Sequence, residues 1–291
     1  MIYSLSNGKY SARVDSFGAE LVSITDHEEN ERLWQGNPEI WDGHSPNLFP
    51  FCGRLYGSRY RYGLREYEMP LHGFLRFSET ECVLSTPESL FLRLVSNQET
   101  RRIYPFDFML NISYQFSDRG IICSSTLKNT GSREMFFSFG AHPGITVPFP
   151  NGSQHFEDYS IDFGVGYNPK HMLIGEDGLD SGMSEEYPLR NGRYLDLNRE
   201  VFSQEMFFLD LGNEVSIVDR TIGQKASVFS DKARFWGIWQ PYGRDAPFGC
   251  VEPWTGFPGR PGLVENLKTK LYTDICEPWK VYAFSWSLEF D

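Results

Sequence analysis

At 291 residues, with 40% apolar and 23% charged side chains, the chain has the make-up of a globular protein. Its formal net charge of −12, with no basic stripe, excludes a nucleic-acid backbone as partner. No stretch approaches the roughly 20 apolar residues of a membrane span. Met1–Lys9 lacks the basic and apolar regions of a signal peptide, so a cytoplasmic protein without a membrane partner is expected.

The first predicted elements are strands. Lys9–Val14 alternates, with Tyr10, Ala12 and Val14 on one side; Asp15–Gly18 turns, and Ala19–Thr25 returns as the second arm of a hairpin. The acidic run Asp26–Glu31 reads as a solvated tip. From Trp41 to Gly73, Pro46, Pro50, Gly53, Gly57 and Gly63 interrupt every regular pattern, and long irregular segments are often functional. This one contains Asn47-Leu48-Phe49-Pro50, then Gly53-Arg54, then Leu71-His72-Gly73-Phe74. Arg54 offers a planar fork of donors. His72 has the intrinsic pKa for proton transfer and a glycine beside it that lets a ligand approach.

The clearest periodicity lies at the centre. Phe106, Phe108, Leu110, Ile112, Tyr114 and Phe116 alternate with polar residues, which predicts a long half-buried strand. Turns at Ser117–Gly120 and Asn129–Ser132 continue it into Ile121–Lys128 and Arg133–Phe139, a meander of three strands that ends at Gly140-Ala141-His142-Pro143-Gly144. Residues 148–198 read as surface excursions, with His155 and His171 exposed. Short strands follow at 205–211, 214–219, 225–229, 235–240 and 248–252. A last one, Lys280–Phe290, puts Tyr282, Phe284, Trp286, Leu288 and Phe290 on one face. No long amphipathic helix is present. Many strands with Gly, Pro and Asn turns predict an all-β fold, a large antiparallel sandwich or barrel with few short helices, as one domain over 1–291.

Glu252 stands before Pro253 at the end of the apolar run Phe248–Val251, as His142 stands before Pro143. The residue before a proline is held extended, so both ionisable groups are expected at strand exits. Glu277, in Cys276-Glu277-Pro278-Trp279, competes with Glu252 by the same texture. The five cysteines, Cys52, Cys82, Cys123, Cys250 and Cys276, are odd in number and form no C-x-x-C pair, which argues against a disulfide framework. An aromatic content of 16% suits strands and also the platforms on which sugar rings lie.

If His72, His142 and Glu252 converge, three chemistries are open. Two histidines and a carboxylate form a facial triad for iron, yet neither histidine has a carboxylate at the close spacing such sites use. Glycoside hydrolysis wants two carboxylates, and only Glu252 has the context. General acid–base catalysis needs one carboxylate and one histidine, and opening a cyclic hemiacetal needs that pair. The pH profile expected of it is a bell, with the carboxylate on the lower limb and the histidine on the upper.

Asn47–Pro50 with Gly53-Arg54, Leu71–Arg76, Phe139–Gly144 and Cys250–Trp254 together resemble the aldose 1-epimerase (galactose mutarotase-like) family, and in it a LacX-like branch, across essentially the whole chain. The resemblance implies a β-supersandwich and interconversion of α and β anomers of a small-molecule carbohydrate without cofactor or metal. It implies Glu252 as base on the anomeric hydroxyl and His142 as acid to the ring oxygen, with His72 and Arg54 on the sugar. Trp239 or Trp254 is expected on the cleft wall. For the family's sugar-gripping aspartate, Glu205 is the choice and Asp210 the runner-up. Pro253-Trp254 replaces the family's usual Thr-Gln, which leaves the sugar open. A hexose-phosphate mutarotase is the alternative enzyme, with Arg54, Arg59, Arg61, Arg65 and Arg76 near His72 for a phosphate. A sugar-binding protein without turnover is the alternative outside catalysis. A monomer or homodimer is expected.

Overall fold

Where apolar and polar residues alternate, the chain forms antiparallel strands. The computed structural model describes residues 1–198, 202, 205–244 and 246–291. In chain order the strands begin with β1 (Ile2–Ser6), β2 (Tyr10–Asp15), β3 (Glu20–Asp26), β4 (Asn47–Leu48), β5 (Arg59–Tyr62), β6 (Arg65–Glu68), β7 (Glu81–Ser85) and β8 (Ser89–Val95). After the short helix α1 (Gln98–Ile103) come β9 (Phe108–Ser117), β10 (Gly120–Asn129), β11 (Met135–Phe137), β12 (Gly140–Ala141), β13 (Gly144–Thr146), β14 (Tyr159–Asp162), β15 (Lys170–Ile174) and β16 (Asp180–Glu186). The rest are β17 (Tyr194–Asp196), β18 (Met206–Leu209), β19 (Glu214–Asp219), β20 (Lys225–Phe229), β21 (Phe235–Trp239), β22 (Phe248–Trp254), β23 (Asp274–Cys276) and β24 (Val281–Phe290).

Two large sheets carry the fold. A nine-stranded sheet runs β17-β14-β19-β20-β24-β10-β9-β8-β7, and an eight-stranded one is built on β16-β15-β18-β21-β22-β12-β4, with β13 also on β22. Strands β19 and β20 pack against β22. This is the expected all-β sandwich. Phe108, Leu110, Ile112 and Tyr114 of β9 are fully buried, as are Phe284, Trp286 and Leu288 of β24, and each side chain of that size contributes about 1.5–3 kcal/mol. The only helix longer than one 3-10 turn among the described residues is α1, opened by a capping box of Asn97 and Thr100. No helix among the described residues is long and apolar enough to cross a membrane.

Four expectations are corrected. Residues 133–139 do not extend the meander: β11 is buried on every residue, without alternation, and pairs with β23, while β10 takes β24 as its second neighbour. Residues 148–198 supply β14 to β17 to both sheets, and His171 is buried in β15. Its ring lies 5.3 Å from Tyr187 and 5.3 Å from Phe208, with Nδ1 3.2 Å from Glu185. The acidic run is only partly a solvated tip. Asp26 binds Arg32 at 2.5 Å and Glu31 accepts from Ser23 and the Ile24 N–H, which leaves Glu28 and Glu29 outside. Finally, β22 does not stop at Pro253. It runs on to Trp254, because the neighbouring chain is broken between β12 and β13 and leaves a place in the ladder where a missing N–H is tolerated.

Candidate active site

Strand β22 sets the site. Its period of two turns Cys250, Glu252 and Trp254 to one face and Val251 to the core. Glu252 is therefore mid-strand, opposite Gly237 of β21, with 1% of its surface exposed.

His142 arrives from β12. Its N–H donates to the Pro46 carbonyl at 3.1 Å, and its Nε2 lies 3.3 Å from Glu252 Oε2. Three rings box the imidazole: Trp41 at 5.1 Å, Trp239 at 5.2 Å and His72 at 5.6 Å between centroids.

His72 sits in a tight turn closed by the Gly73 N–H on the Pro70 carbonyl at 3.0 Å. Its φ is +64°, a region that a side chain disfavours and that strained functional residues often occupy. Gly53 holds it there. The Gly53 N–H donates to His72 Nδ1 at 3.1 Å, and the His72 N–H donates back to the Gly53 carbonyl at 3.1 Å. An accepting Nδ1 leaves the ring proton on Nε2, so neutral His72 presents a donor. Gly73, at φ +78°, cannot be replaced cheaply: a β-carbon there would lie 2.2 Å from the Phe49 carbonyl oxygen.

Arg54, Leu71, His72 and Glu205 line a cavity of about 500 Å³, together with the tip of the β15–β16 hairpin, Ile174 to Gly178. That volume suits a small molecule. The Arg54 carbonyl accepts from the Gly259 N–H at 2.8 Å. Buried Lys270 fixes the adjoining loop by donating to the Phe257 and Pro258 carbonyls at 2.7 and 3.1 Å.

The chain thus brings Glu252, His142, His72, Trp239 and Trp254 into one cluster, with Arg54 and Glu205 on the cavity that His72 opens onto. Trp254 is not on the open wall. It is buried, its ring 5.3 Å from that of His72. Asp210 faces solvent and approaches Lys170 at 3.9 Å, and Glu277 is exposed beside Pro278; neither lines the cavity.

Electrostatics follow from burial. The Glu252 carboxyl is pushed well above the usual carboxylate range by burial first and the Glu205 charge second, with the Trp254 indole opposing. His142 is pushed down to about 3 by burial and then by the Arg76 charge. His72 is lowered well below its ordinary value by burial, then by His142, Arg76 and Arg54. The crowded cleft raises Glu205, and Arg54 opposes that; water reaches this carboxyl, so the shift is a direction and not a large energy. Burial thus works toward a protonated Glu252 and toward neutral His72 and His142. These directions run against the expected assignment of the pH limbs, because burial favours the uncharged form of each group.

The aldose 1-epimerase family model matches residues 1–164. The chromosomal LacX protein of Lactococcus lactis is 30% identical over 267 residues, covering 88% of each chain. This chain belongs to the aldose 1-epimerase family. Its plasmid counterpart from the same organism is 29% identical over 269 residues. A galactose mutarotase related enzyme from Lactobacillus acidophilus superposes with a TM-score of 0.93 at 28% identity, covering 100% of this chain and 97% of that one. A galactose mutarotase-like protein from Lactobacillus casei has the same fold, with a TM-score of 0.93 at 24% identity and 100% of both chains covered.

In this family member three features escaped the sequence reading. Trp41 lies within the irregular segment with no local signal of its own, and its ring lies against His142. The hairpin tip with Glu176 and Asp177 belongs to a stretch read as surface loop. For Cys250 the signal is its place two residues before Glu252, which puts it on the same face of the strand. His142, Cys250 and Glu252 offer ligand atoms that all lie within 4.8 Å of one another. His72 is not a member of that group, which departs from the triad considered from sequence.

Proposed function

We propose that this protein, as one domain over 1–291, is an aldose 1-epimerase that interconverts the anomers of a free, unphosphorylated sugar. The observation that carries the reading is the buried pair His142–Glu252 at 3.3 Å beside a cavity lined by His72 and Arg54. The two groups hold a single proton, on Glu252 at rest. Passing it to His142 as the sugar enters gives a carboxylate and an imidazolium with the same proton count. Sugar hydroxyls donating to the carboxylate favour that form. Glu252 then takes the proton of the anomeric hydroxyl while His142 gives one to the ring oxygen. The bond from C1 to the ring oxygen breaks, its electrons go to that oxygen, and an open-chain aldehyde results. Rotation about the adjoining carbon–carbon bond and reclosure by the reverse transfers yield the other anomer. His72 Nε2–H and the Arg54 guanidinium hold the sugar oxygens, and Glu205 accepts from hydroxyls.

Charge favours a free sugar over a phosphorylated one. A phosphate needs gathered cations, and of the five arginines near His72 in sequence only Arg54 lines the cavity, where it faces Glu176, Asp177 and Glu205. Arg59 approaches Glu66 and Glu68, and Arg61 donates to the Val264 carbonyl. The test is NMR anomer exchange on a panel of hexoses and their 6-phosphates. Catalysed exchange on a free hexose, faster than on its 6-phosphate, is expected. Binding without acceleration would leave a sugar-binding protein, and preference for the phosphates would leave the rival enzyme.

A further inference from the structure

The Cys250 thiol has no part in the proton transfers above. It is fully buried, yet β22 points it to the same face as Glu252, beside His142. A short hydrogen bond between a carboxyl and an imidazole closes to about 2.7 Å, and His142 Nε2 and Glu252 Oε2 stay 3.3 Å apart. Glu252 Oε2 is buried with no hydrogen-bond partner. Metal bonds of 2.0–2.1 Å at a tetrahedral angle hold nitrogen and oxygen ligands roughly 3.3 Å apart. The Cys250 sulfur lies within 4.8 Å of both, and binding of an ion must draw it inward.

We propose that His142, Cys250 and Glu252 form a three-ligand site for a thiophilic divalent cation of the zinc class, and that its occupancy switches the acid–base pair off. Binding releases the thiol proton and the carboxyl proton to solvent, with no change of oxidation state. The thiolate and carboxylate then balance the two charges of the ion, so the buried site is neutral overall, as a low-dielectric position requires. One imidazole, one thiolate and one carboxylate suit zinc or cadmium, whereas magnesium and calcium take oxygen ligands. A fourth position remains for water, on the side where His142 keeps 9% of its side chain exposed. The switching half of this proposal rests on the function proposed above; the binding half does not.

The test therefore has two readouts on the full chain. Titration with Cd²⁺ should give a thiolate-to-metal absorption band that saturates at one ion per chain. That band should be lost in Cys250→Ser and Cys250→Ala, either of which serves if the other folds poorly, and His142→Gln should weaken it. In NMR exchange, Zn²⁺ should stop anomer conversion and a chelator should restore it, while Mg²⁺ has no effect. Cys250→Ser should keep its basal exchange and need at least about 100-fold more Zn²⁺ for inhibition, since even outer partners of a metal site are worth 10–100-fold in affinity. Absence of the cadmium band, or a band unchanged in both Cys250 variants, overturns the site. A band with undiminished exchange under Zn²⁺ overturns the switch. If the chain catalyses no exchange at all, the cadmium band still decides the site, and only the functional reading has failed.

Discussion

Replacing Glu252 by glutamine should weaken catalysis and strengthen the fold, with a pH signature that identifies the cause. Burial raises the folded-state pKa of Glu252 above the ordinary 4.5. A group raised in this way contributes its full stability below pH 4.5, where both states are protonated, and loses it as pH rises toward the folded value. Each pH unit above 4.5 costs about 1.4 kcal/mol, because the folded state must hold a proton that the unfolded chain releases. By pH 7 the cost reaches at most about 3.4 kcal/mol. Glutamine keeps the shape and needs no proton, so its advantage over wild type should grow with that slope between pH 5 and 7. At this chain length it corresponds to about 5 °C in Tm at pH 7. The assay is denaturant unfolding of both proteins at pH 5, 6 and 7 in the presence of a chelator, with NMR exchange alongside. Exchange should fall by about 10²–10⁴-fold. A stability difference that stays flat across this range means that Glu252 is ionised in the resting protein, and the single-proton account of the pair is then wrong.

The pH profile of kcat/KM, again with chelator, should fall on the acid side as His142 gains a proton near 3 and on the alkaline side as Glu252 loses its own; a lower limb that moves in Glu252→Gln but not in His142→Gln would reverse the assignment. Below pH 4.5, where the Glu252 contribution is constant, the fold should weaken as pH falls toward 3, since the unfolded chain holds a proton that buried His142 does not take; His142→Gln should lessen that slope, as read by circular dichroism. Gly73→Ala should lower stability by about 2–3 kcal/mol and abolish exchange, because the new β-carbon meets the Phe49 carbonyl and the His72 turn must open; near-normal exchange would show that the turn does not position His72. Lys270→Met should cost about 3–5 kcal/mol in a denaturant titration, since it leaves Glu265 buried beside two unpaired carbonyls.

The long strands were legible because alternation is a local property: β9, β10 and β24 follow it residue by residue. What the pattern lacked was partnership. Met135-Phe136-Phe137 is extended as read, but an apolar run without alternation does not say which neighbour buries both faces, and β23 lies far along the chain. His171 was misplaced for a related reason. Its own neighbours in sequence are mixed, and the aromatic rings that cover it come from β18 and from Tyr187. At the site, the residue types and their proline contexts led to Glu252, His142 and His72, while the local geometry at Glu252 differed because a gap in the adjacent strand lets β22 continue through Pro253. Protonation was the least accessible property, since burial of the pair is visible only once both sheets are assembled.

One consequence of the topology concerns the order in which the chain is made. Strand β24 lies in the interior of the nine-stranded sheet, bonded to β10 on one side and β20 on the other. Every other strand of that sheet precedes it in sequence. During synthesis the group β7 to β10 and the group β14, β17, β19 and β20 therefore emerge as two separate blocks, each with an open edge prone to mispairing. Only when residues 281–290 have left the ribosome can they be joined. Strand β22 rests on β19 and β20, so the bed beneath Glu252 keeps an unpaired edge until then, and a chain lacking those ten residues exposes surface of the kind chaperones cover.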